Sequence, residues 1–272
     1  MKILISTDIE GVAGVVHHQQ VRAGNPEYER ARVLMAHEAN AAIAGAFDGG
    51  ASEVLVNDSH GDFRNMPAEL LDPRAQSILG KPRYLGMMAG VDQGVDAVCM
   101  VGYHSRAQGR GILAHTTNSF AFSRIWFNGD EVGEAAMYGA LAGEYGVPVV
   151  MASGDDAFIE EHQPLFPNAV FVQTKRATGQ TSGISLSPQA AREAIRAGVA
   201  AALKQPQRPA PFVLRTPLDV RIRTQTPALA DLFCQWPTLE RLAGDEVALQ
   251  APSVEAAVRM VNCLSAMSAL LR

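Results

Sequence analysis

The sequence predicts an α/β protein: a largely parallel central sheet flanked by helices, with a smaller C-terminal α+β unit. Three observations lead there. Short apolar runs alternate with helical patterns up to about residue 204. The stretch "KQPQRPAPF" (204–212) then places three prolines in nine residues and breaks that alternation. Beyond it, strand-like runs and two helical patterns form a short series of their own. The expected division is a main unit over 1–207 and a small α+β domain or subdomain over 208–272.

The elements follow in order. "KILISTD" (2–8) reads as a first strand. Asn25-Pro26 opens a helix, with Glu27 and Glu29 in its first turn, where carboxylates suit the helix dipole. Ala31, Met35, Ala39, Ala42 and Ala46 continue it at helical spacing, and Gly49-Gly50 ends it. "SEVLVND" (52–58) and "DAVCMVGYH" (96–104) are the second and third strands. "AFSRIWFNGDEVG" predicts a strand and an Asn128-Gly129 turn, then an Ala-rich helix over about 131–145. "VPVVMAS" (147–153) is a buried strand, "GDDAFIEEH" a helix start capped by Asp155, and "NAVFVQT" (168–174) another strand. A helix over 187–204 closes the main series. The tail adds "VLRTPLDVRIRT", a short helix near 227–235, "DEVALQAP" and a last helix over about 253–271, with Val254, Val258, Val261, Leu264 and Leu271 near one face.

Composition excludes several classes. Hydrophobic residues make up 47% and charged residues 19% of the 272, which is globular and not disordered. The net charge is -5, without a basic run, and aromatics are 6%, so neither phosphate contacts nor base stacking for nucleic acid are supported. Cys99, Cys234 and Cys263 are widely spaced and odd in number, which fits neither a zinc finger nor a disulfide framework. No signal peptide is expected at "MKILISTDIEG", and no stretch approaching the roughly 18 apolar residues of a membrane span. A soluble protein of the cytoplasm, without membrane or nucleic-acid partners, is the expectation.

In open α/β sheets, ligands bind beyond the carboxyl ends of the strands. Those ends are unusually rich in ligating groups here. Asp8 and Glu10 close the first strand; Asn57, Asp58, His60 and Asp62 the second; His104 the third; Asp155 and Asp156 the fifth. Each alone has a structural reading. Asp8 or Glu10 can begin a turn, a lone histidine can be a hydrogen-bonded core or surface residue, and Asp155 suits a helix cap better than a ligand. His17, His18 and His162 read as solvated surface, His37 as structural, and Cys99 as packed core. Taken together, Asp, Glu and His without Cys suit a catalytic zinc or similar divalent ion. Two carboxylates with two histidines exceed what one open catalytic metal needs, which favours two metals with a shared carboxylate. Spaced i and i+2, Asp8 and Glu10 point to one side if the strand persists to Glu10. His115, eleven positions after His104 across a Gly109/Gly111 loop, is a further ligand or a free acid/base group. Glu134 falls in the first turn of its helix, where dipole stabilisation alone explains it.

The blocks "STDIEGVAGV", "VNDSHGD", "GYHSRA", "AHT", "VGE" and "ASGDD", in this order and spacing, resemble the zinc D-aminopeptidases known as the M55 metallopeptidases. The resemblance implies two Zn2+ per subunit, short peptide substrates and ring-like homo-oligomers, decamers among them. By position it makes Asp8 the carboxylate shared by both metals. It assigns Glu10 and His60 to one metal, His104 and Glu134 to the other, and a catalytic role to His115. Lys175 matches a family lysine, whereas Gln180 stands where an arginine is expected. The activity implied is removal of N-terminal, D-configured residues such as D-Ala by metal-activated water. Ligand type alone leaves manganese and cobalt open. Two other readings use the same groups. One is a different dinuclear hydrolase (an amidase, or a phosphoesterase drawing on Arg106, Arg110 and Arg124). The other is a non-enzymatic α/β protein holding a structural ion.

Overall fold

The computed structural model describes residues 1–272. Strand β1 (Lys2–Thr7) leads by a loop to α1 (Pro26–Asp48), whose Asn25 side chain accepts from the Glu27 and Tyr28 amides. β2 (Glu53–Asp58), β3 (Gln76–Ile78) and β4 (Ala97–Val101) follow. β5 (Phe122–Phe127) and β6 (Asp130–Glu131) form a hairpin across Asn128-Gly129, both at positive φ as the Asn-Gly pair predicts. Then come α2 (Glu134–Glu144), β7 (Val149–Asp155), α3 (Asp156–His162), β8 (Val170–Gly179), β9 (Ser182–Ser185) and α4 (Pro188–Leu203). The chain ends with β10 (Leu218–Thr224), α5 (Pro227–Phe233), β11 (Glu240–Ala243), β12 (Glu246–Ala251) and α6 (Val254–Met267).

Two sheets result. The larger runs β3-β2-β1-β4-β7-β8-β9 and is parallel except at β9, an antiparallel edge strand that the sequence reading did not anticipate. The smaller is antiparallel, in the order β11-β12-β10-β5-β6. The tail's strands are therefore completed by residues 122–131 from the middle of the chain. β10 pairs β5 on one side and β12 on the other.

The larger sheet is buried on both faces. Ile3 and Ile5 point into one apolar cluster with α1 and α4, whereas Leu4 points into the other with α2, α6 and the smaller sheet. This period-2 split is what a two-sided buried strand requires. Cys99 is fully buried, as expected of packed core. The segment Val254–Leu271 is long and apolar enough to cross a bilayer by length and mean hydropathy alone, although Glu255 and Arg259 interrupt its apolar residues. In the fold, its Val254, Ala257, Val258, Val261 and Leu264 are buried in the core instead.

The two helices on one face meet at Gly45 of α1. A Cβ built there lies 2.4 Å from the Arg196 carbonyl and 3.0 Å from the Val199 Cβ on α4. Two effects compete in Gly45→Ala. Alanine is worth about 1 kcal/mol over glycine inside a helix, whereas overpacking costs about 1–3 kcal/mol. Because the clash is with backbone, which cannot rotate away, the clash should win. A lower urea midpoint for Gly45→Ala is expected; a raised midpoint would show that the helix pair is loosely packed.

Candidate metal centre

Three adjacent strands, β2, β1 and β4, end at the same level: Thr7 lies opposite Asp58 on one side and Val101 on the other. The chain order reverses direction across β1, with β2 on one flank and β4 on the other. This is the switch point at which open sheets bind ligands. Asp8 follows the middle strand, and its amide still donates to the Val101 carbonyl at 2.8 Å. His60 follows β2 and His104 follows β4, so Asp8 has an imidazole on each side.

The strand does not persist to Glu10, contrary to the premise of the i, i+2 reading. β1 ends at Thr7, and residues 9–12 turn, with the Val12 amide donating to the Ile9 carbonyl. The turn runs close against the end of β4. The Gly11 amide donates to the Gly102 carbonyl at 2.7 Å, and a Cβ on residue 11 would sit 2.0 Å from the Tyr103 oxygen. Only glycine passes there. Asp8 and Glu10 converge through this turn, not through the strand pleat.

The distances divide around Asp8. Its Oδ1 lies 3.3 Å from His60 Nδ1, which is itself 3.1 Å from Glu10 Oε2. Its Oδ2 lies 3.3 Å from His104 Nε2, which is 3.6 Å from Glu134 Oε1. His115 Nε2 is also 3.6 Å from Glu134 Oε1, and its ring stacks on His104 with centroids 4.2 Å apart. Asp8, Glu10 and His104 present donor atoms mutually within 4.8 Å, as do His104, His115 and Glu134. All six residues singled out in the sequence thus share one site. Asp8, Glu10, His104 and Glu134 are buried, and His60 and His115 are partly so.

The donor set fits zinc. With bonds of about 2.0–2.2 Å, donors on one tetrahedral zinc stand roughly 3.3–3.6 Å apart, matching these separations. Asp8 Oδ2, Glu10 Oε2 and His104 Nε2 are buried without a hydrogen-bond partner. Atoms this close yet not bonded to one another converge on a point between them, as ligands do. The outer nitrogens are all engaged: His60 Nε2 faces the Val21 carbonyl at 2.8 Å, His104 Nδ1 the Ser105 carbonyl at 2.9 Å, and His115 Nδ1 the Leu113 carbonyl at 3.0 Å. Such bonds select the tautomer whose other nitrogen is free to ligate. Glu134 opens α2, and its Oε1 accepts from the Thr117 amide at 2.6 Å.

The charges of these groups act on one another. Burial pushes the His60 and His104 imidazoles down, but Glu10 and Asp8 for the first, and Glu134 and Asp8 for the second, raise both well above the usual range. Burial likewise pushes Asp8 up, and the approach of His104 and His60 more than reverses it.

The remaining strand-end groups have other duties. Asn57 donates to the carbonyls of Gly86, Met87 and Ala89, and Asp58 accepts from the Asn65 and Met66 amides. Asp62 is exposed. Asp155 caps α3 through the Phe158 amide, as expected, and also accepts from Ile112 in the His104–His115 loop. His17 and His18 are exposed and His37 half-buried. His162 corrects its surface assignment: it is fully buried, its Nδ1 2.8 Å from the Phe158 carbonyl one turn back and its ring against Phe158. Two of the arginines a phosphoesterase would need are held by carboxylates, and the third is on the surface. Arg106 pairs with Glu131 and Glu161, Arg124 with Glu131, and the exposed Arg110 with Glu160.

Two buried charged residues behind the site escaped the sequence reading as site supports. Glu38 is 2% exposed, and its Oε1 accepts from the Ala13 amide at 2.9 Å. A signal for it existed, because Glu38 lies between Met35 and Ala42 on the apolar face of α1. Lys175 on β8 is also 2% exposed.

Comparison with known proteins identifies the family. The family Peptidase M55, described as D-aminopeptidase, matches residues 1–263. The chain belongs to the M55 D-aminopeptidase family. A D-aminopeptidase of Bacillus subtilis (strain 168) is 36% identical over 219 residues, 80% of this chain and 78% of that protein. The solved structure of the Zn-dependent D-aminopeptidase DppA from Bacillus subtilis, a self-compartmentalizing protease, superposes with a TM-score of 0.95 at 30% identity, covering 99% of this chain and 98% of that one. As an M55 protein the chain is a metallo-aminopeptidase, and its donor set matches the zinc dependence of that neighbour.

The buried glutamate behind the M55 site gives a pH signature. Burial, opposed by the Ala13 amide and Lys175, raises Glu38 to about 7. A carboxyl raised in the fold contributes stability that is complete below its unfolded value of 4.5 and lost as pH rises through about 7. Glu38→Gln should flatten the stability–pH curve in that window by about 2–3 kcal/mol. Denaturant titrations at pH 5 and pH 8 measure it. An unchanged slope would mean that Glu38 is ionised throughout.

Proposed function

We propose that this chain removes the N-terminal residue, D-configured as in D-alanyl peptides, from short peptides at a two-zinc centre. Asp8 is shared, Glu10 and His60 complete one set, and His104 and Glu134 complete the other. The observation that carries this reading is the division at Asp8, each of whose oxygens stands 3.3 Å from a different imidazole. When bound, zinc supplies Lewis acidity, polarising a peptide carbonyl and making water nucleophilic near neutral pH.

The protein's own groups perform the rest. The carboxylates of Asp8, Glu10 and Glu134 would balance most of the charge of two zinc ions, and a centre so balanced would take a substrate's free, neutral α-amine, a group that an internal peptide lacks. The Leu113 carbonyl holds the Nδ1 proton of His115, leaving Nε2 turned toward the site. That nitrogen takes a proton from the attacking water and returns it to the leaving amine nitrogen. The partial exposure of His115 suits a group that must meet substrate. A second reading makes His115 a zinc ligand, because its Nε2 belongs to the donor group of His104 and Glu134. The M55 relative's self-compartmentalizing character supports assembly of this chain into a ring-like homo-oligomer, and its three free cysteines suit the cytoplasm.

Hydrolysis of matched D- and L-alanyl dipeptides by zinc-quantified protein tests the substrate class, with the D-peptide preferred. Asp8→Ala should lose zinc from both sets and abolish turnover; full zinc with full activity would refute the site. His115→Ala should keep both zinc ions and lower kcat by about 10²–10⁴-fold. Loss of one zinc would select the ligand reading, and full activity would exclude both roles.

A further inference from the structure

The loop carrying Asp8 and Glu10 is fastened peptide by peptide from distant elements. The Gly11 amide donates to Gly102 beyond β4, Glu38 of α1 accepts from Ala13, and Ser185 of β9 accepts from Gly14. Two neighbours on β8 complete the set. Thr174 Oγ1 lies 2.6 Å from the Gly11 carbonyl, to which its single proton is donated, and 3.0 Å from the Gly154 carbonyl. Lys175 Nζ donates to the Glu10 carbonyl at 2.5 Å and the Val15 carbonyl at 2.6 Å, across 165 and 160 residues of sequence.

Lys175 is an expensive choice for this duty. Removing an ammonium from water costs several kcal/mol when no partner charge compensates. Asp155, Glu38 and Glu10 compensate the Lys175 charge only from beyond ion-pair distance, and both of its hydrogen bonds go to main-chain oxygens of the Glu10–Val15 turn. A neutral donor, or an apolar side chain with a slightly different turn, would fill the same place at lower cost. What a long, charged donor adds is a rigid grip on the peptide of Glu10 itself. The position of that carbonyl fixes the direction in which the Glu10 side chain leaves the turn. The carboxylate must then reach His60 Nδ1, 3.1 Å away, beside Asp8.

The geometry points to Lys175 as a positioning residue: its ammonium, anchored on the Glu10 and Val15 carbonyls, aims Glu10 at the metal set it shares with Asp8 and His60. The Lys175 ammonium is spent on main-chain oxygens and so acts through Glu10. This inference rests on the two-set reading of the site.

Chelator-competition zinc titrations of the full-length wild type, Glu10→Gln, Lys175→Met, their double variant and Thr174→Val test it. Glu10→Gln identifies which zinc equivalent belongs to the Glu10 set. Lys175→Met should weaken that same equivalent by about 10–100-fold, the usual effect of losing an outer support, and leave the other within about threefold. Because Lys175 acts through Glu10, the double variant should be no more than about threefold weaker than Glu10→Gln alone. Wild-type affinity for both zinc ions in Lys175→Met would overturn the inference. So would equal weakening of both sets with a lowered Tm of the metal-free protein, the pattern of a merely structural lysine. If Lys175→Met fails to fold, Thr174→Val decides: weakening confined to the Glu10 equivalent supports the clamp, and unchanged affinity overturns it. Should Glu10→Gln itself leave both equivalents intact, the ligand assignment falls and the positioning role with it. If instead Glu10→Gln weakens zinc and Lys175→Met does not, only the positioning role is lost.

Discussion

The contact on which the rest depends is Asp8 between two imidazoles. A carboxylate at the edge of a packed sheet is unfavourable unless its charge is met, and here it is met on both sides. The sheet order makes this possible. Because β1 lies between β2 and β4, the residue that follows β1 is reached by the loops of both neighbours. His60 and His104 come from those loops, and Glu10 and Glu134 close the two sets. No edge strand could present one carboxylate to the loops of two neighbours in this way. The position of Asp8, the residue proposed to bridge, after the central strand of three is a consequence of topology.

Around that contact, the protein spends buried polar groups on orientation. Main-chain carbonyls of Val21, Ser105 and Leu113 each fix one histidine ring, and the Thr117 amide fixes Glu134. Thr117 and Leu113 hold positive φ, so the loop between His104 and α2 is bent into a backbone region that side chains rarely adopt. Asp155 secures that loop from β7, while Glu38, Thr174 and Lys175 secure the loop after β1. Ligands aimed before the metal arrives need not be ordered by it, which leaves more of the binding energy for affinity.

Much of this was legible in the sequence, for identifiable reasons. Strand ends that finish in Asp, Glu or His contradict the local demand for apolar burial, so Asp8, Glu10, His60 and His104 stood out. Glu134 did not, because a glutamate in a first helical turn is already explained by the dipole; only the family resemblance moved it to the site. The antiparallel sheet was hidden because the pairing of β5 with β10 joins segments almost a hundred positions apart, and nothing local records it. The turn at Glu10 was hidden for a similar reason: Gly11 reads as free to bend, whereas it is also the one residue type that passes the Tyr103 carbonyl, a contact no local pattern records. Lys175 and the carbonyls behind the histidines act through backbone contacts that carry no residue pattern.

The central claim, that Asp8 joins two metal sets, is tested most directly by an anomalous difference map at the zinc edge from zinc-loaded crystals. Two peaks are expected, about 3.5–4 Å apart, one beside Glu10 and His60 and the other beside His104 and Glu134, with an Asp8 oxygen on each. A single peak, or two peaks of which only one touches Asp8, would contradict it.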